Sequence, residues 1–311
     1  VLGITSDDRT FSTSKLYFAY GLGNGLYFPF GAGATTVLFA ERPTADKLFE
    51  AVHRHRPTLF FAVPAVYAAM LQAAESQEAD LTSVRAAISA GEGLPAPLWD
   101  RFRQRFGISI LDGIGSTEML HMFISNRPDD VVPGSSGRPV PGYEARIVDE
   151  RGEDVRAGEL GELLIRGDSA APEYWNRPDL TRSTFRGEWT ATGDKFVCDE
   201  HGYFWHHGRT DDMMKVSGLW VSPMEIESAL LTHPAVAECA VVAATDSDGL
   251  TRPKAFVVLR PPASEATTEA ELTGFLRGRL AGYKVPRWIV PIAGLPRTAT
   301  GKIQRFKLRQ R

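Results

Sequence analysis

Cysteine is scarce in this 311-residue chain: there are two, Cys198 and Cys239, too far apart for a short metal motif. A reduced, cytoplasmic context fits so few cysteines best. No apolar run approaches the roughly 20 residues that span a bilayer, and no signal-peptide pattern opens the chain. Neither sign of charge dominates: 35 basic against 38 acidic residues leave a net charge of −3, without the electrostatic footprint of a nucleic-acid binder. A local excess of base closes the chain, where Lys302, Arg305, Lys307, Arg309 and Arg311 occur without an acid. It reads as a solvated tail in which only the first lysine is a candidate for a phosphate. Neither nucleic acid nor membrane is therefore an expected partner, and a homodimer is left open. The chain starts on Val1 rather than methionine, inside sequence that reads as ordered, so we expect a fragment of a longer polypeptide.

What is present is ordinary globular material, 43% hydrophobic and 23% charged, long enough for about two domains. Up to residue 122, strand-like runs alternate with helical patterns, which predicts an α/β layer of parallel strands. Residues 58–63 read as a buried strand, and Pro64 opens a helix through Val66, Tyr67, Met70 and Leu71. Residues 86–90 predict a second strand, 96–106 a helix and 108–111 a strand running into Gly113-Ile114-Gly115-Ser116-Thr117-Glu118. From about residue 131 short strands, such as 144–148 and 161–166, alternate with glycine turns, as in a small β-barrel or sandwich. After Asp211-Asp212 a small α+β domain is expected: a helix at 223–231, strands at 237–243 and 255–260, a loop at 261–268 and a helix at 268–280. The expected division is 1–210 (1–122 α/β, 123–210 β-rich) and 211–311.

Four segments carry candidate chemistry. Gly113–Glu118 follows a strand, where an open α/β sheet presents its ligand crevice; its glycines admit a nucleotide, Thr117 offers a hydroxyl and Glu118 a hard oxygen for magnesium. A polar turn capping a helix is the alternative. Thr192-Gly193-Asp194 is either a ligand carboxylate or a common turn aspartate. His207-Gly208-Arg209-Thr210-Asp211-Asp212 is either a hinge with a ligand contact or a salt-bridged boundary. Thr300-Gly301-Lys302 places a compact cation on a glycine corner, to meet a phosphate or carboxylate or simply water.

In order, the chain resembles the acyl-adenylate-forming (AMP-binding) superfamily. The matching landmarks are Val63-Pro64 with Tyr67, Gly91-Glu92-Gly93-Leu94-Pro95, Gly115-Ser116-Thr117-Glu118, Gly137-Arg138-Pro139-Val140-Pro141-Gly142, Gly158-Glu159-Leu160-Gly161-Glu162-Leu163, Tyr174-Trp175-Asn176, Thr192-Gly193-Asp194, Gly208-Arg209-Thr210-Asp211-Asp212 and Gly301-Lys302. Within it, the 15–24, 112–121 and 215–223 segments look most like the benzoate–CoA ligase branch. The implied fold is the C-terminal part of a large adenylate-forming domain, a parallel α/β layer plus small β-barrel, followed by a small mobile α+β domain.

The resemblance implies roles residue by residue. Asp194 would accept the ribose hydroxyls of AMP and Arg209 would add a charge-assisted bond. Thr117 would touch the α-phosphate and Glu118 would hold magnesium. Gly91, Glu92 and Gly93 would lie along adenine, with Asp112 and Gly113 nearby and Ile114 as an aliphatic face where many relatives place an aromatic ring. Phe18, Ala19, Tyr20 and Gly21, with Ile114 and His121, would line a flat slot suited to a benzene ring; ordinary helix packing is the alternative for Phe18 and Tyr20. Gly218 would border the tunnel for the CoA arm, Asp211 would be the hinge and Lys302 the catalytic cation.

The implied reaction, placed in aromatic-compound degradation, takes ATP, magnesium, an aryl carboxylate and coenzyme A to acyl-AMP and then to the acyl-CoA thioester. The family's Ser/Thr/Gly-rich phosphate loop has no counterpart here: residues 5–14 hold hydroxyls but no glycine cluster. The isolated chain is therefore expected to be weakly active or inactive. The alternatives are an adenylation domain loading a carrier protein, or an inactive nucleotide-binding fragment.

Overall fold

The computed structural model describes residues 1–76, 79–260, 269–298 and 303–310. The chain forms two compact units, Val1–His206 and His207–Arg311.

The first unit begins with β1 (Arg9–Ser12) and a broken helix: α1 (Ala19–Leu22), a π-helical turn at Gly23–Tyr27, and α2 (Phe28–Gly31). Then follow β2 (Thr35–Val37), α3 (Ala45–His55), β3 (Leu59–Ala62), α4 (Pro64–Ala73), β4 (Ala86–Ser89), α5 (Ala96–Phe106), β5 (Ile110–Gly115), β6 (Met122–Ser125) and β7 (Arg138–Pro139). These strands make one sheet in the order β2-β1-β3-β4-β5-β6-β7. The pairs from β2 through β5 are parallel, and β6 and β7 are antiparallel. β3 is buried along its whole length, as expected for a parallel strand covered on both faces. α3 and α4 bury Leu48, Val52, Tyr67 and Met70 against one face together with Phe11 and Phe60. Pro64 occupies the first turn of α4, and α5 stops at Gly107, whose φ of 73° suits a left-handed C-cap.

Two expectations are corrected here. The strand predicted at 108–111 runs from Ile110 to Gly115, because β6 folds back and pairs with Gly113–Gly115. The glycine segment is thus largely strand; it neither follows the strand nor caps a helix. The sheet before residue 122 is also longer than the apolar runs suggested, since β1 and β2 are short and rich in hydroxyls.

A second, curled sheet follows: β8 (Glu144–Val148), β9 (Gly161–Arg166), α6 (Pro178–Thr184), β10 (Phe185–Arg186), β11 (Trp189–Cys198) and β12 (Phe204–Arg209), the last three residues of β12 belonging to the second unit. Its order is β10-β11-β9-β8, with β12 on β11. Phe196, Phe204, Ile147 and Leu163 pack with Met119, Phe123 and Ile114, so this sheet's core reaches the end of β5.

The second unit holds β13 (Met214–Val216), β14 (Leu219–Val221), α7 (Pro223–Leu231), β15 (Val236–Thr245), β16 (Thr251–Leu259), α8 (Glu269–Arg277), β17 (Trp288–Pro291) and α9 (Arg305–Leu308). β13 and β14 are joined by Ser217 (φ 51°) and Gly218 (φ 84°), a two-residue turn that needs left-handed backbone at both positions. The sheet β15-β16-β17 carries Val236, Val241 and Val257 against Ile226, Leu230, Leu272 and Leu276 of α7 and α8. The expected loop at 261–268 and the Lys302 corner lie outside the described residues. What flanks the corner is clear: Arg297 bridges Ile303, and the Gln304 N–H donates to the Pro296 carbonyl (2.8 Å). Arg297 also pairs with Glu238 (2.9 Å). Arg305 Nη2 donates to both carboxylate oxygens of Glu227 (2.8 Å each), and Glu227 Oε1 accepts the Val241 N–H (2.7 Å).

Breaking a buried pair strands its partner's charge, so Glu227→Gln should destabilise the second unit by about 3 kcal/mol. Urea denaturation followed through Trp220 and Trp288 measures this; an unchanged midpoint would contradict the anchoring role.

Candidate active site

The parallel strands β3, β4 and β5 end on one edge of the sheet, and ligands in such sheets collect outside the carboxyl ends. The Ile88 carbonyl, near the end of β4, accepts two phenols: Tyr67 from α4 (2.8 Å) and Tyr20 from α1 (3.0 Å). Burial pushes both phenols well above their ordinary pKa, so they remain donors. Directly after β4 the chain turns through Gly91 (φ 95°), Glu92 and Gly93, which reach the surface at that edge.

Beside it, β5 presents Asp112, paired in register with Ser89. The Asp112 Oδ2 accepts the Leu94 N–H (3.3 Å). Burial raises this carboxyl to about 7, against some help to the anion from Ser89 and two backbone N–H groups. Gly113 is required by contact: a Cβ there would lie 2.3 Å from Met122 Cε and 2.5 Å from the Ile124 carbonyl oxygen. Ile114 is half-buried on the edge of the curled sheet's core. Thr117 is exposed, and Glu118 is half-buried with its Oε1 accepting the Tyr174 hydroxyl (2.6 Å). Tyr174 belongs to a segment legible in the sequence, but its reach back over 56 residues to Glu118 is not.

Tyr20 and His121 form the next layer. The rings stack at 5.4 Å and 27°, and Phe28 meets the imidazole edge-on at 4.6 Å. The His121 Nε2 lies 3.3 Å from the Tyr20 carbonyl oxygen. Burial lowers the His121 pKa to about 4, so near neutral pH the ring is uncharged, donates through Nε2–H, and keeps Nδ1 as an acceptor. Two glycines make this packing possible: a Cβ on Gly21 would lie 2.1 Å from the Lys15 carbonyl oxygen, and one on Gly23 would lie 2.4 Å from His121 Cδ2. Phe18 precedes α1 and meets the Tyr17 ring at a tilt of 52° (4.5 Å), with Ala19 half-buried beside it. Gly23 and Phe28 escape sequence reasoning because nothing local marks a π-helical turn.

Asp194 projects from an irregularity in β11. It is buried, and its Oδ1 lies 3.3 Å from His206 Nε2. In the second unit, Arg209 is exposed just before a 3₁₀ turn at Thr210–Asp212, which contains the exposed Asp211; the Asp211 carbonyl accepts a bond from Arg309 (3.2 Å). Gly218 sits at the tip of its hairpin with nothing within 4 Å of where a Cβ would be. The first unit thus gathers residues 18–21, 91–93, 112–118 and 121 at one sheet edge. Arg209, Asp211 and Gly218 lie in the second unit, and Lys302 is outside the described residues. Among the described residues no group of three or more His, Cys, Asp or Glu side chains forms a metal cluster, and no helix is long and apolar enough to cross a membrane.

A parallel sheet with candidate residues at its carboxyl ends, a curled sheet bearing a buried aspartate, and a small α+β unit are the parts of an adenylate-forming enzyme. The chain belongs to the AMP-binding enzyme family, whose profile matches residues 2–175, while that of the AMP-binding enzyme C-terminal domain matches 225–302. It is 54% identical over 312 residues to the benzoate–CoA ligase of Thauera aromatica, covering 99% of this chain and 59% of that protein. It is 50% identical to the 4-hydroxybenzoate–CoA/benzoate–CoA ligase of Rhodopseudomonas palustris, covering 99% and 58%. Among solved structures, the anthranilate CoA ligase AuaEII in complex with anthranoyl-AMP aligns with a TM-score of 0.95 at 48% identity, covering 100% of this chain and 60% of that one. A benzoate CoA ligase from Burkholderia xenovorans aligns with a TM-score of 0.90 at 50% identity, covering 99% and 62%. The chain therefore spans about three-fifths of the length of these relatives.

Asp112 makes a pH prediction. Its folded pKa, about 7, lies above its ordinary value of 3.8, so its contribution to stability is complete below about pH 4 and lost as pH rises through 7. Asp112→Asn should therefore gain thermal stability relative to the parent at pH 8, and much less at pH 5. Melting curves at the two pH values decide; a pH-independent difference would rule out a raised carboxyl.

Proposed function

We propose that this chain carries the adenylate- and CoA-handling part of an aryl-acid CoA ligase, which converts benzoate or a substituted benzoate to acyl-AMP and then to the thioester. The observation that carries this reading is the Tyr20–His121 layer beside β5: a flat, uncharged stack beside the 116–118 segment. It suits a planar ring better than a flexible chain. The names of relatives that act on benzoate, hydroxybenzoate and anthranilate support it.

In the first half-reaction a carboxylate attacks the α-phosphate of ATP and pyrophosphate leaves. Both reactants are anions, so positioning and charge neutralisation must supply most of the acceleration. Thr117 would donate to the α-phosphate, Asp194 would accept the ribose hydroxyls, and Arg209 would add charge on the ribose or phosphate side. Gly91, Glu92, Gly93, Asp112 and Gly113 would frame adenine against Ile114. Glu118 fits a magnesium ligand: it is a hard carboxylate oriented by Tyr174, and magnesium often takes one or two protein carboxylates and phosphate oxygens for the rest. When bound, the ion offsets phosphate charge. Lys302 would bridge the carboxylate and the α-phosphate.

In the second half-reaction the CoA thiol attacks the mixed anhydride and expels AMP. Gly218 would border the thiol's tunnel, and Asp211 would be the hinge at which the small domain, from residue 211 on, exchanges Lys302 for that tunnel.

In a protein that carries this chain at the full length of its relatives, Lys302→Ala should lower benzoate-dependent ATP–pyrophosphate exchange by about 100-fold or more. CoA transfer to supplied benzoyl-AMP should remain within a few-fold of the parent. Gly218→Trp should do the reverse. Equal loss of both half-reactions in Lys302→Ala would remove its assigned role, and absence of benzoyl-CoA from the parent would remove the function.

A further inference from the structure

Asp194 owes its direction to a break in the β11 ladder. Opposite β9 the pairs run Thr190↔Ile165 and Ala191↔Leu164, then resume at Lys195↔Glu162 and Phe196↔Gly161. Thr192, Gly193 and Asp194 therefore face the single residue Leu163, and Gly193 takes φ 72° to absorb the extra length. Bulges of this kind re-aim a side chain. The Thr192 hydroxyl closes the bulge, donating to the Leu163 carbonyl (3.1 Å) and accepting the Asp194 N–H (3.2 Å).

These bonds fix the Asp194 backbone but leave its side-chain torsions to other contacts. One such contact is His206 on β12, the neighbour of β11, whose Nε2 lies 3.3 Å from Asp194 Oδ1. The imidazole is itself held, with the Phe196 ring 5.0 Å away at 31°. Only 16% of the His206 side chain and 10% of the Asp194 side chain are exposed. An Nε2–H that donates to Oδ1 sets the carboxylate plane before any ligand arrives, which spares the ordering cost of binding.

We infer that His206 is a positioning residue for ribose recognition: it holds the Asp194 carboxylate in the plane needed to accept a vicinal diol, without touching the nucleotide. This rests on the proposed role of Asp194. A scaffold role alone would weaken all nucleotides alike, whereas a positioning role weakens the ligands whose hydroxyls Asp194 reads.

The test is calorimetric titration of the 311-residue chain with AMP and with 2′-deoxy-AMP, for the parent, His206→Leu, His206→Gln and Asp194→Asn. His206→Leu should raise the Kd for AMP about tenfold, as losing one charge-assisted bond implies, and raise that for 2′-deoxy-AMP much less, so that discrimination between the two shrinks. His206→Gln, whose amide can donate at similar reach, should restore most of the affinity. In the Asp194→Asn background, His206→Leu should add little. Should His206→Leu not fold, His206→Asn, whose amide stops short, takes its place with the same expected loss. Equal weakening of both ligands, or none of either, would overturn the positioning role while leaving Asp194 in place. AMP binding unaffected by Asp194→Asn, or no AMP binding by the parent, would overturn the ribose reading and this inference with it.

Discussion

One carbonyl, that of Ile88, links the parts of the candidate site. It lies one residue before the end of β4 and accepts the phenols of Tyr67 and Tyr20. A buried acceptor left without partners costs about 1–3 kcal/mol, and so does each stranded phenol, so the arrangement is strongly preferred over any that separates them. Tyr67 ties α4 to the sheet, and Tyr20 ties α1. α1 has four residues and, with the π-helical turn and α2, is too irregular to hold itself as an isolated helix. Its place beside β5 is therefore set by the sheet, and the proposed slot for the ring shares an anchor with the Gly91–Gly93 loop.

Close packing around that anchor explains the electrostatics. Gly21 and Gly23 let the broken helix press against Lys15 and His121, and Gly113 and Gly115 let β6 fold tightly onto β5. Water is squeezed from both places. The consequence appears as opposite shifts with one cause: desolvation raises Asp112 to about 7 and lowers His121 to about 4, each toward its neutral form. In such surroundings the charges of a bound carboxylate and phosphate act strongly on whatever cation meets them.

Some helices were legible because their signals are local, while α3 (Ala45–His55) was not read from the sequence. Ala96–Phe106 and Pro223–Leu231 have the bounds expected from proline starts and apolar spacing, and so do the strands Glu144–Val148 and Gly161–Arg166. The length of β5 was not legible, since it depends on β6 pairing from across a turn. Thr192-Gly193-Asp194 looked like a turn because glycine between polar residues usually is one; here it is a bulge inside a ten-residue strand. Three partnerships had no sequence signal at all: Tyr174 with Glu118, Gly23 with His121, and His206 with Asp194. Each joins residues from different elements, and each concerns how a recognised residue is aimed. The candidate residues were visible in the chain, while the side chains that contact and aim them belong to the tertiary structure.

The second unit is bonded internally on both sides of the segment that leads to its C-terminal helix. The segment that carries Lys302 is gripped before and after it: Arg297 bridges Ile303 and pairs with Glu238, and Arg305 is held by Glu227, whose carboxylate also accepts a backbone N–H of β15. Releasing either end would strand a buried or half-buried charge, at a cost of several kcal/mol in the case of Glu227. Local peeling of the segment is therefore an expensive way to withdraw the lysine. Turning the whole unit at a hinge breaks none of these bonds, because all of them lie within the unit. If Lys302 has the role proposed above, this internal bonding would favour motion of the unit as a body over motion of one loop.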